Sequence, residues 1–296
     1  MTRRAARRLN AASMRLLSRP IPWARLSIAC ALAFGLFYAA GQYAGIWPDA
    51  LDARAYWLTD PADPYRLSVV GGDYSYLYSP AFIQAFVPFH RMPWPVFISV
   101  WTILMVAAFV WTAREWSLPL LLVLPVISAL AIGNIEFFLA AAIVAGFRRP
   151  AAWAFVLLTK STLGVGLVWF AVRREWRSLA IALGATVLVV LASAAIAPGL
   201  WSDWIGVLQR NEGVQPRLWT LPGPLWLRTL IGAVVVGWGA RTDRRWTVPV
   251  GVSIALPVAW ASLFAILLVG LAGVYVRRER RAPAPSSVAV MGEPAG

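Results

Sequence analysis

LPLLLVLPVISALAIGNIEFFLAAAIVAGFRR, residues 118–149, decides the fold. Leu118–Ile132 and Ile135–Phe147 are apolar runs parted by Gly133-Asn134 and closed by Arg148-Arg149. Each run holds about 13–15 residues, or about 20–23 Å as a helix, whereas a bilayer's hydrocarbon core is about 30 Å thick. Neither run crosses alone. Arg114 precedes the stretch, so the positive-inside rule puts both of its ends on the cytoplasmic face. The reading is a helical hairpin that enters the membrane, turns at Gly133-Asn134 and returns. Its tip carries Asn134 and Glu136 at membrane depth, which is tolerable only against protein or a wet cavity. A longer, tilted pair is the other geometry that fits this spacing.

The same arithmetic orders the rest of the chain. Residues 1–25 are a basic arm with Arg3, Arg4, Arg7, Arg8, Arg15, Arg19 and Arg25, placed in the cytoplasm along anionic lipid. Residues 26–46 are the first span. A signal peptide competes for this stretch, but its apolar core would hold only about 7–15 residues. Residues 46–80 then form an external loop, and Ala81–Phe89 follows as an interfacial segment too short to span. Residues 95–113 return to Arg114. Residues 151–172 lie between basic clusters, as a hairpin turning near Lys160-Ser161-Thr162. Residues 178–197 lead out, 198–223 form a second external loop, and 224–240 return to Arg241, Arg244 and Arg245. Residues 247–276 are a third hairpin with Pro257 at its turn, and 277–296 read as a disordered cytoplasmic tail. The expected fold is all-α, a polytopic membrane bundle over residues 26–276 with several short or broken helical hairpins.

Composition agrees. The 296 residues are 60% hydrophobic, above the roughly 45–50% of soluble domains. The net charge of +14 comes from arginines clustered between apolar runs. That is a topology signal, so a membrane partner is expected and no nucleic acid. Cys30 is the single cysteine, which leaves no disulfide framework or thiolate metal site. His90 is the single histidine, which excludes a histidine-based catalytic pair or zinc cluster. No acidic spacing compels a metal, and no cofactor is expected.

Of 13 acidic residues, five fall between Asp49 and Asp73. Asp52 lies just beyond the first span, where a lipid-borne substrate can reach it. A carboxylate there serves as general base towards a hydroxyl, or simply as a helix N-cap before ARAYW or a solvated loop acid. Asp60 and Asp63 flank Pro61 and Pro64, and Asp73 follows Gly71-Gly72, so turn formation accounts for them. Lys160, the only lysine among 27 basic residues, lies at membrane depth. A buried ammonium faces a cavity or an anionic partner. It either clamps a phosphate or snorkels or pairs with Glu136. Tyr74, Tyr76 and Tyr78 alternate, as a sugar-stacking surface or an interfacial aromatic belt.

Taken in order, these elements resemble glycosyltransferase family 87, of the GT-C structural class, over most of residues 26–276. The resemblance rests on the basic arm and first span, Asp52-Ala-Arg-Ala-Tyr56, Asp63-Pro-Tyr65 and the Tyr74–Pro80 tract. It continues through Trp101, Gly133-Asn134, Arg148-Arg149-Pro150, Lys160 after Leu-Thr, Arg173–Arg177 and Leu256-Pro-x-x-Trp260. The order of the elements, rather than any one of them, is what is similar. The resemblance implies a sugar carried on a polyprenyl phosphate, mannose foremost. The acceptor is a hydroxyl of a glycolipid or cell-envelope glycan outside the cell membrane, and transfer inverts the anomeric centre. It implies Asp52 as the base. Lys160, Arg54, Arg66, Arg210 and Arg217 are the cations available to the donor phosphate, with Lys160 and Arg54 favoured. Tyr56, Tyr65, Tyr76, Tyr78, Asn134, Glu136 and Trp260 are the expected pocket. The chain departs from the family pattern at Glu136, at Leu163 and at Ala261-Ser262, where the family commonly has a histidine. A divergent, inactive member, a lipid or small-molecule transporter or flippase, and a non-catalytic scaffold are the competing readings. Broken helices and a buried lysine also suit a transporter, but no convincing internal repeat is present.

Overall fold

The computed structural model describes residues 22–66, 68–72, 74–212, 222–258, 262 and 264–279. Asp73, Arg217, Trp260, the basic arm through residue 21 and the tail from residue 280 therefore lie outside the described residues. The described residues are helical and contain no strand. Three helices are long and apolar enough to cross a membrane, or four if the bent pair within residues 124–146 counts as one span. The chain is a multi-pass helical membrane protein.

α1 (Trp23–Tyr43) starts after Pro22 and packs along α4 (Trp94–Ala113). Between them come α2 (Leu51–Leu58) and α3 (Pro80–His90), which covers the segment expected at the interface and has Pro80 at a helix start where no amide hydrogen is needed. After α4 the chain turns through α5 (Ser117–Leu121) into α6 (Leu124–Ile132) and α7 (Glu136–Gly146). The chain bends by 113° between α6 and α7, so the break expected at Gly133-Asn134 is a sharp turn. α8 (Trp153–Thr159) breaks at Lys160, and a 3-10 segment, Ser161–Leu167, packs back on it before α9 (Val168–Val172). α10 (Trp176–Ile196) leads to α11 (Pro198–Arg210), α12 (Leu225–Arg241) to α13 (Thr247–Ile254), and α14 (Phe264–Glu279) closes the chain. α14 runs past Arg277, where the sequence expects the tail to begin.

Two stretches expected as loops contain helices. α2 lies inside residues 46–80, and α11 lies inside residues 198–223. α11 is strongly amphipathic, with Leu200 and Val207 buried and Asp203 and Arg210 exposed, so a helix forms where residue polarity suggests a loop. These two stretches are stitched together. Asn211 accepts from the Val70 amide at 2.8 Å and donates to the Ser68 carbonyl at 3.1 Å, and Trp204 donates to the Leu77 carbonyl at 3.1 Å.

The core at this end is aromatic. Tyr56, Phe82, Phe86, Phe97 and Trp101 are buried and meet edge to face, tilted or stacked, with centroids 4.8–6.2 Å apart. Each such pair is worth about 0.5–1.5 kcal/mol beyond burial. This cluster is the floor on which α2 rests. α12 and α13 approach so closely that a Cβ on Gly232 would lie 2.5 Å from the Gly251 carbonyl oxygen.

Candidate active site

α2 presents Asp52 and Tyr56 on one face, because residues four apart stack along a helix. Asp52 sits in the first turn, where the unsatisfied amides favour negative charge. Arg54 is two residues on and so lies on the far side of the helix. Its guanidinium rests 5.2 Å from the Trp57 ring and 4.4 Å from that of Trp94.

The turn between α6 and α7 is brought against that face by Gly133. Its φ of +72° stops α6 with a left-handed cap. A Cβ there would lie 2.6 Å from Ala53 Cβ and 3.1 Å from Ala50 Cβ, so only glycine permits the contact with α2. Trp101 Nε1 donates to the Gly133 carbonyl at 2.7 Å and pins the turn from beneath.

Asn134 is the link. Its Nδ2 donates to Asp52 Oδ2, and its Oδ1 accepts from the Ile135 amide at 2.6 Å and from Tyr56 OH at 3.3 Å. Only the amide nitrogen can donate to a carboxylate, so this bonding orients the side chain. Tyr56 OH shares a hydrogen bond of 3.1 Å with Tyr78 OH. One residue beyond Ile135, Glu136 is fully buried, and neither of its carboxylate oxygens accepts a hydrogen bond among the described residues. Lys160 Nζ stands 3.9 Å from Glu136 Oε1, with its side chain 11% exposed. The break of α8 at Lys160 (φ −138°, ψ 86°) sets the lysine at a hairpin tip, and the Ser79 amide donates to the Leu158 carbonyl at 3.3 Å to tie that tip to the tyrosine tract.

Burial raises the Asp52 carboxyl above the ordinary aspartate range, while the Lys160 charge and the Asn134 hydrogen bond pull it down. The result is a carboxylate with more basicity than a solvated one, oriented by an amide and within electrostatic reach of a lysine.

The structure thus brings together Asp52, Tyr56, Tyr78, Asn134, Glu136 and Lys160. It sets the other expected residues elsewhere. Tyr65 donates to the Tyr78 carbonyl at 2.9 Å and Tyr76 to the Ser79 carbonyl at 3.0 Å, so both are buried supports beneath the tract. Arg66 and Arg210 are exposed on the two stretches that Asn211 and Trp204 join. Arg217 and Trp260 lie outside the described residues.

Two features escaped sequence reasoning. Arg228, buried within α12, donates to the Leu256 carbonyl at 2.5 Å and the Pro257 carbonyl at 3.2 Å, closing the third hairpin turn. Its signal was available, because it is an arginine inside an apolar span. The second is an apolar groove of about 580 Å³ lined by Phe82, Phe86, Trp101, Phe138, Phe155 and Thr159. Thr159 directly precedes Lys160, so the groove reaches the backbone that carries the lysine.

Among comparisons with known proteins, a family model described as glycosyltransferase family 87 matches residues 76–292. No curated protein and no solved structure matches.

Proposed function

The chain belongs to glycosyltransferase family 87, and from that premise we propose that it moves a sugar from a polyprenyl-phosphate donor to an acceptor hydroxyl, with Asp52 as base. The observation that carries this reading is the joining of α2 to two hairpin tips. Asn134 bonds Asp52 directly, and the Glu136–Lys160 pair begins two residues further on. A basic carboxylate and a cation therefore meet at one centre drawn from three separate parts of the chain.

In the proposed step Asp52 takes the proton of the acceptor hydroxyl. The freed oxygen pair forms a bond to the anomeric carbon, and the bond from that carbon to the donor phosphate oxygen breaks. Its electrons leave with the polyprenyl phosphate. Attack opposite the leaving group inverts the anomeric configuration. A phosphate is a weak base and departs without protonation, so charge stabilisation is what the site must supply. Lys160 is the cation that the fold brings to this centre. The aromatic groove beside Thr159 suits an isoprenoid chain, which needs apolar walls and no hydrogen bonds. Mannose is the sugar put first, and a glycolipid or cell-envelope glycan the acceptor. The active site faces outside, with both termini in the cytoplasm. Residues 1–25 are assigned as the arm, 26–276 as the catalytic bundle and 277–296 as the tail.

The test is transfer by purified protein given polyprenyl-phosphate mannose and crude membrane lipids, read by mass spectrometry. Hexosylated product from wild type that disappears in Asp52→Asn is the expected outcome. Product undiminished in Asp52→Asn would overturn the assignment of the base, and product undiminished in Lys160→Ala that of the cation.

A further inference from the structure

Glu136 takes no part in the transfer step, yet its surroundings do not suit a group that only fills space. It begins α7, where the first-turn amides favour negative charge. It is completely buried, and neither oxygen accepts a hydrogen bond among the described residues. Its own backbone amide lies close by but does not complete one. Lys160 Nζ stands 3.9 Å from Oε1, wider than the ~2.7–2.9 Å of a charge-assisted hydrogen bond. Asp52 is within electrostatic reach as well and shares the same lysine. Two carboxylates thus depend on one ammonium, and Glu136 has both oxygens still to satisfy. Buried polar groups without partners are uncommon enough to require a reason.

The arrangement changes when a phosphate reaches this centre. The lysine side chain is 11% exposed and the glutamate side chain not at all, so the lysine is the group an incoming anion meets first. A lysine that grips a phosphate weakens its hold on Glu136. A buried carboxylate that loses its counterion and gains no hydrogen bond is strongly disfavoured. The ligand must therefore bring hydrogen-bond donors of its own. Bare polyprenyl phosphate has none once its second proton is lost, above a pKa of about 6. Its second negative charge also faces two carboxylates. A sugar ester of the same phosphate carries hydroxyls, and the one next to the anomeric carbon lies nearest the phosphate. A hydroxyl given to a carboxylate makes a bond about twice as strong as a neutral one.

We infer that Glu136 selects sugar-bearing lipid over bare polyprenyl phosphate, its carboxylate accepting sugar hydroxyls as the donor phosphate engages Lys160. This rests on the lipid-linked donor proposed above and adds a specificity-determining residue to it. The bare lipid is also what remains after transfer, so the same carboxylate favours its release.

The full chain in detergent at about pH 8, where the bare phosphate is doubly ionised, is offered polyprenyl-phosphate mannose and polyprenyl phosphate of equal chain length. Retained lipid is counted by native mass spectrometry. Wild type should hold the mannosylated lipid at least about tenfold better, a difference of about 1.4 kcal/mol. Glu136→Gln should bring the ratio to about one or below, mainly by binding the bare lipid more tightly. A glutamate that served only as counterion to Lys160 would shift both lipids alike, and an unchanged ratio in Glu136→Gln overturns the inference. A second comparison needs no variant. A donor lacking the hydroxyl next to the anomeric carbon should bind wild type about tenfold more weakly than the mannose donor, the worth of one hydrogen bond to a charged group. Equal binding of those two donors, or equal retention of mannosylated and bare lipid by wild type, overturns the inference while leaving the donor reading in place. Retention of neither lipid overturns the donor reading and the inference with it.

Discussion

Asp52 is asked to be a base while half-buried, and its withdrawal from water works against its charged form. Asp52→Asn keeps the shape and a hydrogen bond from Asn134 but cannot accept a proton. It should lower transfer by about 10²–10⁴-fold, the usual worth of general base catalysis. Its stability should move the other way, with a sign that depends on pH. Below the unfolded-state pKa both states of wild type are protonated and burial carries no charge penalty. As pH rises through the higher folded-state value, the folded protein must ionise a buried group, and wild type loses stability. Thermal melting should show Asp52→Asn more stable than wild type at neutral pH, with the gap closing in acid. Transfer by wild type should fall as pH drops through that raised value. Lys160 has two possible duties, neutralising Glu136 and holding a phosphate. Lys160→Met strands a buried carboxylate and should destabilise by about 3–5 kcal/mol. Adding Glu136→Gln should restore folding. If the restored double variant also transfers sugar, the phosphate role of Lys160 is wrong. Asp52 and Lys160 were legible as oddities of charge and depth. The role of Asn134 was not, because an amide in a turn carries no mark of the carboxylate it will meet.

The elements that build the site are broken helices held by single contacts. Trp101 anchors the turn at Gly133 with one buried hydrogen bond. Trp101→Phe keeps the ring packing and loses that bond, so a stability loss of about 1–3 kcal/mol is expected from the orphaned carbonyl, measured by denaturation in detergent. Gly133→Ala should be worse, since a side chain at φ +72° meets both strain and Ala53. Arg228 does for the third hairpin what Trp101 does for the first. The existence of these breaks was readable from run lengths and from Gly-Asn, Lys and Pro interruptions, because a helix too short to cross must stop for a reason. The 113° bend was not, since nothing in the run lengths shows that Gly133 will pack against Ala50 and Ala53 of α2. α11 escaped for a different reason. Charge and tryptophan alternating along 198–210 look like a loop until a surface appears for its apolar face to cover.

At the scale of the molecule, the positive-inside rule would set the arginine clusters at 114, 148–149, 173–177 and 241–245 on one face of the membrane and the acid-bearing stretch after the first span on the other. The orientation this implies can be checked with Cys30→Ser as background. A cysteine at Ser202, exposed on α11, should react with an impermeant maleimide on intact cells, whereas one at Thr242, exposed beyond α12, should react only after permeabilisation. Labelling in the reverse order would place Asp52 in the cytoplasm. Hydropathy and arginine spacing were enough to establish a helical membrane bundle, its reversals and its unusual charges. Those features are local, since each depends on the cost of moving one segment into hydrocarbon. The joining of Asp52 to Asn134 across 82 positions, the turning of Arg54 away onto two tryptophans and the tie of Asn211 to Ser68 and Val70 needed the packed chain. They follow from which faces meet, and a face acquires a partner only when every helix competing for it has found its place.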